Sequence, residues 1–149
     1  MKKCLYLGYK GNLEAYIYIW FSKMLHMVYV GETNNINGVI GRANQHVSRE
    51  NGTLYNCFYN EGYDIAELND LLLLSFPLPR EKKFRSEETA YRISVEYLVQ
   101  KTLLRLRSCC KNPYRVISQV TTGPFIEQKR LIDIANKISN DFIEIYEEI

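Results

Sequence analysis

The chain has 149 residues, 46% apolar and 24% charged, the proportions of one globular domain. That excludes a disordered chain, a collagen-like repeat and a disulfide-dense miniprotein, and the longest aliphatic run, Leu71–Leu74, is too short to cross a bilayer. The net charge is only +2, but residues 80–115 carry ten basic and four acidic groups, a local excess that suits phosphate; the plain alternative is a solvated helix face.

Glu14–Trp20 (EAYIYIW) is short, aromatic and β-branched and reads as a strand. Ser22–Met24 is a turn, and His26–Val30 (HMVYV) is a second strand close enough for a hairpin. Gly31–Gly38 is a polar loop. Val39–Arg49 is helical, with Ile40, Ala43 and Val47 on one face, and Asn51–Thr53 stops it. Tyr55–Glu67 has no clear period. Asp70–Pro79 is a strand buried on both faces, and its prolines put its end at a sheet edge.

Ser86–Arg107 is the strongest helix, with Ser86 as cap and Glu87 and Glu88 in its first turn. Tyr91, Val95, Leu98, Val99, Leu103 and Leu106 form one apolar stripe; Ile93, Tyr97 and Leu104 form another on the far side. Tyr114–Val120 is a short strand or an extended segment. Phe125–Ile149 is an amphipathic helix with Leu131, Ala135, Ile138, Phe142, Ile145 and Ile149 on one face. That stripe must be covered by the chain's own core or by a second copy in a homodimer. The expectation is one α+β domain over 1–149, with a small, mainly antiparallel three-stranded sheet flanked by helices and an extra C-terminal helix over 124–149. Cys4, Cys57, Cys109 and Cys110 show no CxxC spacing and no secretory signal precedes the fold, so a cytoplasmic protein without structural zinc or disulfides is expected.

The chemistry-bearing residues fall in a fixed order. Tyr16-Ile17-Tyr18 lies in the first strand and Tyr29-Val30-Gly31 closes the second. Arg42 and His46 follow, four apart and so on one helix face. Glu96 lies in the long helix, and Asn112 follows in KNPY. In this order and spacing the chain resembles the GIY-YIG nucleases, over residues 14 to about 115. The glycine of the first element is Tyr16 here, and the distance from Glu96 to Asn112 is stretched.

The resemblance implies a divalent-metal-dependent endonuclease cutting DNA phosphodiester bonds, RNA being the other substrate to consider. In it Glu96 holds one Mg²⁺ or Mn²⁺, and Tyr18, Tyr29, Arg42, His46 and Asn112 complete the catalytic set. The residue types suit this chemistry. A carboxylate holds a hard cation, an arginine fork grips a phosphate, and phenol and imidazole hold or move a proton. Tyr18 is expected to act on the water, with a nearby metal-bound water, Arg42 or a protonated His46 favouring its phenolate, Tyr29 as its hydrogen-bonding partner, and His46, titrating near neutrality, as the proton relay. Arg80, Lys82, Lys83, Arg85, Lys101, Arg105 and Lys111 would hold the DNA backbone.

Each residue also has a plain reading. The tyrosines are strand aromatics, Gly31 a turn glycine, and Arg42 and His46 helix-surface residues. Glu88, Arg92 and Glu96 form a salt-bridge ladder worth ~0.3–0.5 kcal/mol per pair. A catalytically silent nucleic-acid-binding module on the same fold, or a protein-interaction domain, are the alternative functions.

Overall fold

A computed structural model describes residues 14–35, 38–48 and 52–149. Alternating side chains build a hairpin of β1 (Tyr16–Ser22) and β2 (Met27–Thr33), with Tyr18 opposite Gly31 and Trp20 opposite Tyr29. Asp70 fastens its turn by accepting from Ser22 Oγ and from the Met24 amide, each at 2.9 Å. β3 (Leu72–Pro77) pairs antiparallel with the outer side of β1 and is an edge strand, which explains how it accommodates Pro77. It is only partly buried at Leu72 and Leu73, so it is less enclosed than its aliphatic run suggests.

The sheet has four strands, not three, and is mixed. β4 (Arg115–Val116) runs parallel to β2, giving the order β3-β1-β2-β4. Two residues are too few to show a sequence period. The pairing is built from the Arg115 amide donating to the His26 carbonyl at 2.7 Å and the Ile117 amide to Val28 at 2.9 Å. Ser118 Oγ then accepts from the Val30 amide at 2.6 Å.

Each face of the sheet has its own core. Tyr16, Tyr18, Met27 and Tyr29 meet Val39 of α1 (Gly38–Val47) and Leu54 and Phe58 of α2 (Thr53–Asn60). The unassigned segment after Tyr55 is thus mostly helix, held by a short buried stripe of Leu54, Cys57 and Phe58. On the opposite face, Ile17, Ile19, Phe21, Val28 and Val30 pack with two long helices. A one-turn helix, α3 (Lys82–Arg85), precedes the first of these, α4 (Ala90–Leu106). Ser86 does not cap α4. It ends α3, and its hydroxyl donates to the Glu88 carbonyl at 3.2 Å.

α5 (Lys129–Glu148) lies against α4 and the sheet, burying Leu131, Ala135, Ile138, Phe142 and Tyr146. Its stripe is therefore covered within the chain, with Tyr146 rather than Ile149 completing it; Ile149 and Leu104 are exposed. The 121–125 segment is laid directly on α4. A Cβ at Gly123 would overlap Ser94, whose hydroxyl donates to the Ala90 carbonyl at 2.7 Å and accepts from the Phe125 amide at 3.1 Å. Among the described residues no helix is long and apolar enough to cross a membrane. Cys4 and the helix stop at Asn51 lie outside the described residues.

Phe142 is fully buried, with edge-on contacts to Phe21 and Tyr114 at 5.4 and 6.0 Å between ring centres. Phe142→Ala should therefore lower the unfolding free energy by about 3–5 kcal/mol in urea titrations. A loss below about 1 kcal/mol would place α5 outside the core.

Candidate active site

Tyr18 stands mid-strand in β1, and its ring lies over Gly31 of the neighbouring strand. A Cβ on Gly31 would overlap Cζ and Oη of Tyr18, so this glycine makes room for a phenol rather than forming a turn. Tyr29 shares the face, its ring 6.4 Å from that of Tyr18 and only 22° from parallel. α1 crosses this face, anchored by buried Val39. Its i, i+4 spacing carries Arg42 and His46 to the same place. His46 is 2% exposed, and its Nε2 lies 2.5 Å from Tyr18 Oη. Its ring centre is 5.5 Å from that of Tyr18 and 5.9 Å from that of Tyr29. Arg42 bonds Gln45 Oε1 at 2.9 Å and also donates toward the Tyr18 hydroxyl.

Glu96 arrives from the other layer. Glu32, next to Gly31 on β2, points toward α4 and accepts from Arg92 Nε at 2.5 Å. Arg92 is 2% exposed, and its Nη1 also donates to the Phe84 and Ser86 carbonyls, at 3.0 and 2.7 Å. The expected Glu88–Arg92–Glu96 ladder is thereby replaced by a buried ion pair; removing one partner of such a pair costs about 3–5 kcal/mol. One turn beyond Arg92, the Glu96 carboxyl lies close enough to Tyr18 and Tyr29 to act on both phenols. Gln100 Nε2 donates to Glu96 Oε1 at 3.2 Å. Sequence reasoning missed Glu32, Arg92 and Gln100. For Arg92 and Gln100 the signal was a polar group at a core-facing helix position, and for Glu32 a charge on the strand face that carries Val28 and Val30.

Desolvation governs the charges. Burial, then Tyr29, raises the Tyr18 phenol far above its ordinary range, with Arg42 pulling the other way. Burial, then Glu96, pushes Tyr29 up to about 12. Burial, then Arg42, pushes His46 down to about 4. Burial, then Glu32, pushes Glu96 up to about 8. At neutral pH the two phenols and the imidazole are uncharged and the carboxyl is mostly protonated. This corrects one expectation, that His46 would titrate near neutrality and, when protonated, favour the Tyr18 phenolate; Arg42 does favour the phenolate but is outweighed by burial. Taking each group out of water disfavours its charged form more than Arg42 compensates.

The donor set fits a hard divalent cation. Glu96 forms no ion pair among the described residues, and a cation beside it would favour its carboxylate and lower the neighbouring phenols. A single carboxylate with phenol oxygens nearby suits Mg²⁺ or Mn²⁺, which keep most of their waters. Among the described residues no group of three or more His, Cys, Asp or Glu side chains gathers as an all-protein zinc site requires.

Other sequence candidates lie elsewhere. Asn112 is exposed, and its carbonyl accepts from Tyr146 at 3.3 Å, on the α5 side of the sheet, so the cluster forms without it. Arg80 pairs with Glu14 at 2.7 Å. Lys83 pairs with Glu81 and lies over the Tyr91 ring. Lys82 and Arg85 are exposed beside the end of β2, where Asn34 Nδ2 donates to the Arg85 and Ser86 carbonyls. Lys101 and Arg105 are exposed on the later half of α4, and the Lys111 backbone N–H donates a hydrogen bond to Glu147 Oε1 of α5 at 3.2 Å. The fold thus divides the basic run among separate places.

Comparison with family models, curated proteins and solved structures finds no match for this chain.

Gly31→Ala should cost about 1–3 kcal/mol through overpacking, and urea titrations should show most of that cost vanish in a Tyr18→Ala background, where no ring opposes the methyl. Equal costs in both backgrounds would show that the ring is not the obstacle. A pH effect also follows. His46 titrates near 4 when folded and near 6.5 when unfolded, so the unfolded chain binds more protons between these values. Its contribution is present above 6.5 and is lost as pH falls toward 4. Glu96, raised when folded, acts in the opposite sense as pH rises toward 8. Comparing wild type with His46→Gln in urea titrations at pH 7.5 and 4.5 isolates His46: the wild type should lose more stability on acidification. Parallel losses would refute the buried neutral imidazole.

Proposed function

We propose that this chain is a divalent-metal-dependent endonuclease of the GIY-YIG type, hydrolysing DNA phosphodiester bonds. The observation that carries the reading is a convergence. Tyr18 and Tyr29 from paired strands, Arg42 and His46 from α1, and Glu96 from α4 on the far layer act on one another at one place. A set of plain strand aromatics and surface charges would have no reason to bury a 2.5 Å phenol–imidazole hydrogen bond.

Each side chain has a role in that chemistry. A bound divalent cation supplies charge neutralisation at the phosphoryl oxygens. Glu96 provides the carboxylate that holds it. Arg42 grips the scissile phosphate with its planar fork and stabilises charge developing in the transition state. Tyr18 takes a proton from the attacking water as its own proton passes to His46 Nε2. A neutral imidazole is the form able to accept it, and the low pKa of His46 keeps that form available at pH 7. His46 Nδ1 is buried without a hydrogen-bonding partner among the described residues, so the ring is held by Tyr18 and by packing on Tyr29. Tyr29 supports Tyr18 from the adjacent strand. Lys82 and Arg85, beside the end of β2, are the best-placed of the basic residues to contact the backbone near the site.

Tyr16 is the internal control. It lies on the same sheet face as Tyr18 and is fully buried, and its hydroxyl donates to Glu14 at 3.1 Å rather than to His46. Supercoiled plasmid and RNA are incubated with the protein, with and without Mg²⁺. The wild type should nick or linearise plasmid only with Mg²⁺. Tyr18→Phe should lose about 10²–10⁴-fold in rate, the worth of a positioned proton acceptor, with little loss of DNA binding. Tyr16→Phe should retain nearly full rate. A fully active Tyr18→Phe would remove the central residue of this reading.

A further inference from the structure

The reading of Glu96 as a cation ligand leaves open what aims its carboxylate, and the geometry points to Gln100: we propose that Gln100 is a positioning residue that fixes Glu96 for a divalent cation. This rests on the nuclease reading and deepens it. Gln100 follows Glu96 by one helical turn and is 2% exposed, although it carries a polar amide. Its Nε2 donates to Glu96 Oε1 at 3.2 Å and to the Gln119 carbonyl at 3.3 Å.

The second bond settles the orientation of the amide. A main-chain carbonyl only accepts, so the nitrogen must face Gln119, and the same nitrogen then faces Glu96. Both amide hydrogens are used, and the carbonyl end has nothing to bond: Gln100 Oε1 is buried without a partner among the described residues. A glutamine serving only to fill the interior would be replaced at less cost by an apolar side chain of similar size. What the amide does here is to hold one carboxylate oxygen with a neutral donor.

Neutrality matters to the site. A lysine or arginine at this position would also hold Glu96, but its positive charge would repel an incoming cation. Gln100 fixes the plane of the carboxyl with a neutral donor and leaves the other oxygen, Oε2, available to the cation. The Gln119 carbonyl anchors the amide to the segment beside β4, so the carboxylate is referenced to the sheet edge as well as to its own helix.

Mn²⁺ binding to the full chain, measured by calorimetry and by electron paramagnetic resonance, tests this apart from activity. Wild type should bind one Mn²⁺, and Glu96→Gln should abolish that binding. Gln100→Leu should weaken it by about 10–100-fold, the usual effect of losing a residue that orients a metal ligand. Its cleavage rate should recover toward wild type at saturating Mg²⁺. A purely structural tie to Gln119 would instead lower the melting temperature and leave Mn²⁺ affinity unchanged, which would overturn the proposal while the Glu96→Gln loss left the nuclease reading standing. No Mn²⁺ binding by wild type would overturn both. Should Gln100→Leu fail to fold, Gln100→Asn, which keeps the amide but withdraws it by one methylene, is measured in the same way with the same two outcomes.

Discussion

The pair between Arg92 and Glu32 is the constraint on which the site's geometry depends. The two residues are 60 positions apart in sequence, and their side chains meet where β2 ends against α4. A fully buried guanidinium is tolerable only when its hydrogens are used. Here the carboxylate of Glu32 and the carbonyls of Phe84 and Ser86 use them. Those contacts fix the turn between α3 and α4 and set how α4 lies on the sheet. Gly31, one residue before Glu32, faces the opposite side and carries the Tyr18 ring. One dipeptide of β2 therefore links the two layers: its glycine seats the phenol and its glutamate seats the helix that brings Glu96.

The electrostatic state that follows is unusual for so polar a cluster. Two phenols, an imidazole and a carboxyl share a desolvated space in which Arg42 is the cation acting on all but Tyr29. Burial drives each group toward its neutral form, so the cluster is close to uncharged and does not repel itself apart. Positive charge added beside Glu96 would act strongly on the cluster, because the same low polarity that suppresses ionisation strengthens every interaction with an added charge. In the proposed nuclease, the bound cation would supply that positive charge.

The two layers also differ in what they contribute. The α1–α2 side holds Tyr18, Tyr29, Arg42 and His46, packed by Val39, Leu54 and Phe58. The α4–α5 side is a conventional core of Phe21, Val95, Leu103 and Phe142, and it supplies Glu96 and Gln100 from the helix that borders both. The C-terminal helix supports the site from behind, by packing on α4 and, through Phe142 and Tyr146, on Phe21 of β1.

The sequence by itself determined the local arrangements. Strand alternation put Tyr16 and Tyr18 on one face, the i, i+4 spacing put Arg42 beside His46, and the apolar period over Phe125–Ile149 marked a helix with one buried side, though the helix itself begins only at Lys129. These are decided within a few residues, by periods of 2 and 3.6. Tertiary structure alone decided that Arg92 turns to Glu32 instead of to Glu96, that Asn112 joins α5 rather than the site, and that a two-residue β4 extends the sheet in parallel. It also decided that Tyr18, His46 and Glu96 are held neutral. The reason is common to all of these: each depends on which distant segment removes water from a group or completes its hydrogen bonds, and no short-range pattern in the chain encodes that.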